Sequence, residues 1–354
     1  MIKIFRKTQA TFSQDVQVLF GKGKRHAEGL YAEWFRQGAV SVDAAWIEPQ
    51  AKKLVEEVIS QVDFSLPELA LHKQEGKTVK FLLKMKDELE SESVLIPMES
   101  GVTLCVSSQV GCRMGCAFCE TGKMGLIRHL SAEEIVAQVF YARHVFKRNV
   151  RNIVFMGMGE PLDNFDEVMQ AIKVLIDPAG MGFGPSRITV STSGCVDGIY
   201  RLIEEADPAL NLAVSVNAPT DDIRRKIMPI NKKWNMLKLK QALMDYCKHP
   251  RRAIFAEYVL LQGINDALEH ADLLADYLSG LKVKVNVIPY NPQSKDRFSP
   301  PSMDQVDAFL QRLRENGLHA LVRHPKGQAI MAACGQLGNV KIRSQLAASR
   351  LSLV

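Results

Sequence analysis

From Val102 onward, short runs rich in Val, Ile and Leu alternate with stretches whose apolar residues recur every three or four positions. The runs predict strands at 102–106, 151–156, 187–191, 210–216, 253–261, 283–288 and 318–323. The periodic stretches predict helices near 131–147, 164–176, 197–206, 220–227, 235–248, 266–279 and 303–316. The first helix opens with a capping box, Ser131-x-x-Glu134, ahead of Ile135, Val139, Ala142 and Phe146 on one face. Apolar strands each followed by a helix imply a parallel sheet with right-handed crossovers. Six or seven such units predict an α/β barrel, complete or partly open, with its chemistry at the C-terminal ends of the strands.

The chain before residue 90 reads differently. Ala27–Phe35, containing Trp34, and Pro49–Val62, with Leu54, Val55, Val58, Ile59 and Val62, have helical spacing. Leu66–Lys73 fits either helix or strand, and Thr78–Met85 and Ser93–Pro97 read as strands of a small sheet. The pattern divides the chain into an N-terminal accessory module (1–90), a barrel (91–337) and a tail (338–354) that carries Lys341, Arg343 and Arg350 without an acid.

Composition bounds the class without naming it. With 354 residues, 47% apolar and 24% charged, the chain has the make-up of a soluble globular protein. No apolar run approaches the roughly 20 residues that span a bilayer, and no secretory h-region follows Met1, so a cytoplasmic protein is expected. A net charge of +6 is too mild to identify a nucleic-acid binder. Basic clusters such as Lys123/Arg128/His129, Arg224/Arg225/Lys226, Lys232/Lys233 and Arg323/His324/Lys326 follow predicted strands, where they could converge on phosphates. Taken singly, each reads better as solvated surface.

There are seven cysteines, an odd number that argues against a disulfide framework. Cys112, Cys116 and Cys119 form C-x3-C-x2-C in a glycine-rich loop after the first barrel strand. Thiolates suit zinc or an iron–sulfur cluster, but structural zinc wants four ligands, and no second Cys or His pair follows. Three ligands on a four-iron cluster leave one iron open to bind S-adenosylmethionine and pass it an electron. The spacing is that of the radical S-adenosylmethionine superfamily. Gly157-Met-Gly159-Glu160-Pro161, at the next strand end, corroborates it.

Seven stretches, in order, resemble the radical S-adenosylmethionine RNA adenine methyltransferases. They are Glu92-Ser-Val-Leu-Ile-Pro97, Leu104-Cys-Val-Ser-Ser-Gln-Val-Gly-Cys112, Gly157-Met-Gly-Glu-Pro161, Ser191-Thr-Ser-Gly194, Pro229-Ile-Asn-Lys-Lys233, Val285-Asn-Val-Ile-Pro289 and Ala333-Cys-Gly-Gln-Leu337. The family methylates carbon 2 of adenine in ribosomal and transfer RNA, or, in its antibiotic-resistance branch, carbon 8. The resemblance implies a partly open (β/α) barrel of the radical type with a small helical N-terminal module that helps grip RNA. It implies a 4Fe-4S cluster on Cys112, Cys116 and Cys119, and S-adenosyl-L-methionine against Gly159, Glu160, Ser191, Ser215, Val216, Asn217 and Asn291. Cys334 matches the family's methyl-carrying cysteine, Cys105 its catalytic partner in a transient disulfide, and Glu92 a carboxylate near the target base. An electron donor such as flavodoxin, a thiol reductant and a monomeric state are implied as well. Glu120 stands where carbon-2 members usually have a small residue and Asn217 where they have histidine, and the first 90 residues carry none of these stretches. Two other readings are a radical enzyme acting on a non-RNA substrate and a zinc-bound RNA-binding module.

Overall fold

The computed structural model describes residues 1–293 and 297–338, so the basic tail past Gly338 lies outside the described residues. Strand β1 (Ile2–Lys3) leads into helices α1 (Gln9–Phe20), α2 (Lys24–Gln37) and α3 (Lys52–Ser60), followed by β2 (Val62–Asp63), which pairs back onto β1. Thr8 caps α1 through its hydroxyl, and Gly21 ends that helix in the left-handed region. The unit is fixed to the barrel by aromatic packing. The Phe5 ring meets those of Trp34, Phe35 and Phe140 edge-on, and Trp34 stacks on Phe140 at 4.7 Å.

Next come β3 (Glu68–Glu75), β4 (Thr78–Lys84), β5 (Glu90–Met98) and β6 (Gly101–Cys105), an antiparallel series. A hairpin follows, β7 (Gln109–Cys112) and β8 (Gly125–His129), with the short helix α4 (Glu120–Lys123) between them. Helix α5 (Ala132–Phe140) then begins at the expected capping box and continues as a π-helical turn over Tyr141–Val145. Alternation sets in with β9 (Val150–Phe155), α6 (Phe165–Ile176), β10 (Ile188–Thr192), α7 (Val196–Glu205) and β11 (Asn211–Ser215). It continues with α8 (Asp221–Ile227), α9 (Met236–Cys247), β12 (Ile254–Leu260), α10 (Leu268–Leu278), β13 (Val283–Pro289), α11 (Met303–Glu315) and β14 (Ala320–Val322).

All seven predicted barrel strands are present. They run parallel in the order β6-β9-β10-β11-β12-β13-β14. Among the described residues no ladder joins the two ends, so the barrel is open. The chain alternates as expected because each Val/Ile-rich strand is covered by the apolar stripe of the helix after it.

Two expectations need correction. The strands at 78–84 and 90–98 do not form a small sheet of their own. With β3, which resolves the ambiguous Leu66–Lys73 stretch, they extend the barrel into one ten-stranded sheet. The cysteine loop is also not a simple loop: Cys112 closes strand β7. Gly111 allows that hairpin, because at its φ of +74° a Cβ would lie 1.9 Å from the carbonyl oxygen of Gly125. No helix among the described residues is long and apolar enough to cross a membrane.

Candidate active site

The C-terminal strand ends enclose a cavity with about 940 Å³ of empty space, part of it open to solvent. Cys112, Cys116 and Cys119 border it, as do Gly159, Glu160, Ser191, Ser215, Asn217, Asn291 and Cys334. Most of the residues implicated by sequence therefore meet in one place. Val216 does not reach the cavity surface. It is buried, its N–H bonded to the carbonyl of Glu257 and its own carbonyl accepting from Arg224 Nε.

The cysteine loop is held from several sides. Ala117 N–H donates to Ile227 O, and Glu120 N–H donates to Gly335 O at 2.8 Å. Gln293 Nε2 bridges Phe118 O and Gly335 O at 2.8 and 2.9 Å, tying the cluster-binding loop to the Cys334 segment. Burial pushes the Cys116 thiol up to about 12, with the buried Arg224 guanidinium pulling the other way. Cys112 and Cys119 are pushed up by burial too. A bound cation would reverse that preference. Among the described residues no three His, Cys, Asp or Glu side chains converge closely enough for a single metal ion. Three thiols bordering an open cavity leave a position for a small molecule, as a cysteine-held iron–sulfur cluster can, whereas structural zinc takes four protein ligands.

The polar rim is organised by Glu160. One carboxylate oxygen accepts from the N–H and hydroxyl of Ser193, both at 2.7 Å, and the other accepts from Leu162 N–H. Burial still pushes the Glu160 carboxyl up. Gln109 Oε1 accepts the Glu160 N–H at 2.8 Å, while its Nε2 donates to Asp163. Gly159, at φ +103°, packs so tightly on Gln109 that a Cβ would come within 2.5 Å of that side chain. Asn217 holds φ +56°, uncommon for a residue other than glycine. Its Oδ1 accepts from Val259 N–H, and its Nδ2 contacts the weakly accepting Met228 sulfur at 3.3 Å. Asn291 donates to Cys334 O at 3.2 Å and accepts from Gln328. The rim thus offers carboxylate, hydroxyl and amide groups in a space of suitable size for an adenosyl amino acid.

Cys334 is exposed to the cavity, whereas Cys105, at the end of β6, is buried behind it. All seven cysteines are free thiols. Burial pushes Cys105 up to about 12 and the neighbouring Cys334 adds to that shift. Arg323 acts on both sulfurs in the opposite sense. It is itself paired with Glu257 at 3.2 Å, and Asn286 donates to the same carboxylate at 2.8 Å. Glu92 lies outside the cavity lining, 3% exposed and paired with Lys80 at 2.6 Å. Burial pushes its carboxyl up, against the pull of Lys80.

Sequence reasoning missed Gln109 and Ser193, although both stand inside motifs it quoted. It missed Glu257 and Gln293 because neither carries a local signature. Among the basic clusters, Arg224 is a correction. It is fully buried and donates to Ser193 O, Val216 O, Ser215 O and Asn231 Oδ1. Arg128 is likewise committed, to Asp87 and Glu134.

Comparison with known proteins agrees with this geometry. The family model of the radical SAM superfamily matches residues 106–275. A probable dual-specificity RNA methyltransferase RlmN from Protochlamydia amoebophila is 50% identical over 343 residues, covering 97% of this chain and 95% of its own. The dual-specificity RNA methyltransferase RlmN of Bdellovibrio bacteriovorus is 41% identical over 328 residues, covering 92% of this chain and 81% of its own. The crystal structure of a radical SAM methyltransferase from Sphaerobacter thermophilus superposes with a TM-score of 0.88 at 38% identity, covering 95% of this chain and 99% of that one. These matches take in the N-terminal module, for which no motif gave a resemblance.

Proposed function

Since this chain belongs to the radical S-adenosylmethionine superfamily and, within it, to the dual-specificity RNA methyltransferases, we propose that it methylates adenine at ring carbon 2 in ribosomal and transfer RNA. The observation that carries the reading is the single cavity bordered by Cys112, Cys116, Cys119 and Cys334, with Cys105 directly behind. Cys112, Cys116 and Cys119 would hold a 4Fe-4S cluster, and Glu160, Ser191, Ser215, Asn217 and Asn291 would orient S-adenosylmethionine. When bound, these two groups supply the methyl group, the electron and the organic radical that side chains cannot.

The residues of the chain do the rest. Carbon 2 of adenine is electrophilic, so a cationic methyl donor cannot attack it directly. Cys334 carries the methyl group to the base and forms a thioether tether to it. Glu92, on the same face of the sheet as Cys105, is the carboxylate this reading assigns nearest the target base. A base removes the ring proton from carbon 2. The Cys105 thiolate then attacks the Cys334 sulfur, and the C–S bond breaks with its electron pair going to the product's methylene carbon. That carbon takes up a proton to become the methyl group, and a Cys105–Cys334 disulfide remains. An external thiol reductant restores both thiols. An N-terminal module that helps bind RNA, a flavodoxin-like electron donor, a monomeric state and action in the cytoplasm complete the proposal. Nucleoside analysis of ribosomal and transfer RNA from a strain lacking the protein tests it. Loss of 2-methyladenosine, regained on complementation, is expected; an unchanged methyladenosine content refutes it and favours a non-RNA substrate.

A further inference from the structure

The stretch from β14 to Gly338, which carries Cys334, has no strand or helix of its own. Its first half lies along the antiparallel extension β3–β5. Lys326 Nζ donates to Pro97 O at 2.7 Å, and Ala329 N–H to a Glu75 carboxylate oxygen at 2.8 Å. Lys80 Nζ donates to Met331 O at 3.0 Å. Met331 sits at φ +54°, a left-handed conformation that a side chain disfavours and that surrounding contacts must hold.

Lys80 thus holds the Met331 end of the segment that carries Cys334, and is itself paired with Glu92 at 2.6 Å. Their place in the sheet gives this a direction. Val94 pairs with Lys80 on one side and with Cys105 on the other, so the three form one cross-strand row. Glu92 stands two residues from Val94 and therefore faces the same way. That face is opposite the one carrying Ser93, which bonds Gln138 of the covering helix. Lys80 is 8% exposed and Glu92 3%. A buried pair of this kind is no more stabilising than two apolar residues of similar volume, so stability alone does not account for it.

We propose that Lys80 is a positioning residue: oriented by Glu92, it fixes the Cys334 loop over Cys105 through the Met331 carbonyl. Its functional meaning rests on the reading of Cys334 as methyl carrier. The positioning itself is tested without methyl transfer.

Hydrogen–deuterium exchange of the segment 327–338 is measured on the full-length, cluster-loaded protein. The variants are Lys80→Met, Lys80→Arg and the double variant Lys80→Met/Glu92→Gln. Lys80→Met leaves a buried carboxylate uncompensated, so the double variant decides the matter if the single one does not fold. Exchange in this segment is expected to rise about tenfold or more in the double variant, the effect of losing the charge-assisted hydrogen bond to the Met331 carbonyl. Lys80→Arg is expected to stay near wild type, and barrel amides to be unchanged. In a second assay, glutathione disulfide oxidises Cys105 and Cys334 to a disulfide, releasing two glutathione thiols. The equilibrium constant is expected to fall about tenfold in the double variant, because the two sulfurs no longer wait in place. Wild-type exchange and wild-type disulfide equilibrium in the double variant would overturn the proposal. A wild-type protein that leaves RNA unmethylated while the exchange results come out as expected would instead sink the proposed function and leave the positioning role standing.

Discussion

Arg224 is the least expected residue of the site, and replacing it with methionine is the sharpest structural test. Its guanidinium is fully buried and makes four hydrogen bonds, to Ser193 O at 2.6 Å, Asn231 Oδ1 at 3.0 Å, and Val216 O and Ser215 O at 3.1 Å. These acceptors belong to the loops after β10 and β11 and to the turn after α8, so one side chain staples three cavity walls. Arg224→Met orphans four acceptors, three of them buried and the Ser215 carbonyl half-buried. At about 1–3 kcal/mol each the gross loss is about 4–12 kcal/mol. Removing a buried charge recovers several kcal/mol of desolvation. Taking the middle of both ranges leaves a net loss of about 4 kcal/mol, or about 8 °C in melting temperature at about 2 °C per kcal/mol for a large domain. Calorimetry checks this figure. Iron and sulfide content of the same samples checks the electrostatic part, since Arg224 also favours the Cys116 thiolate. Arg224→Lys keeps the charge but not the fork. It should lose about half the stability and hold iron like wild type, while Arg224→Met should hold less. An Arg224→Met protein melting within about 2 °C of wild type would refute the staple argument. Equal iron in both variants would refute the charge argument.

Two further predictions follow from other parts of the molecule. Arg6 holds the Glu167 carboxyl below its usual range, partly opposed by burial, with Nη2 to Oε1 at 2.8 Å. A depressed carboxyl contributes stability above its unfolded value of about 4.3, and that contribution is lost as pH falls through the folded value. Arg6 is 39% exposed on its side chain, so screening limits the effect to about 1 kcal/mol. Arg6→Met should therefore lower the urea midpoint at pH 7 but not at about pH 3; equal losses at both would contradict the linkage. Replacing Cys105 with alanine removes the nucleophile that frees the product. RNA should then remain covalently attached to Cys334, seen as a slow band on denaturing gels, and free methylated RNA from this variant would count against the disulfide step.

The barrel was legible because each strand is a short Val/Ile run and each covering helix keeps a clean 3.6-residue stripe. The hairpin β7–β8 was not, since its four- and five-residue strands each contain a glycine and are too short to show alternation. Strands β4 and β5 were legible as strands but not as part of the large sheet, because strand partners lie in tertiary structure rather than in local pattern. The three close cysteines were readable from spacing alone. Cys105 and Cys334 were identified through motif context, and only the fold brings β6 and the segment after β14 together. Glu257, Asn286 and Arg323 show the limit most clearly. They sit on or just beyond β12, β13 and β14, in runs that read as core, and the parallel register Glu257↔Asn286 makes them a polar cluster. Arg224 read as surface because Arg225 and Lys226 follow it. Burial of one cation among three is set by which face of a short helix meets the cavity wall.

The central claim is that Cys334 carries the methyl group. Mass spectrometry of the peptide containing Cys334, from protein purified after expression with its cluster and S-adenosylmethionine available, tests it directly. One added methyl group on Cys334, absent when Cys112, Cys116 and Cys119 are replaced, is the predicted result. An enzyme that methylates RNA while Cys334 stays unmodified, or that keeps its activity as Cys334→Ala, would contradict it.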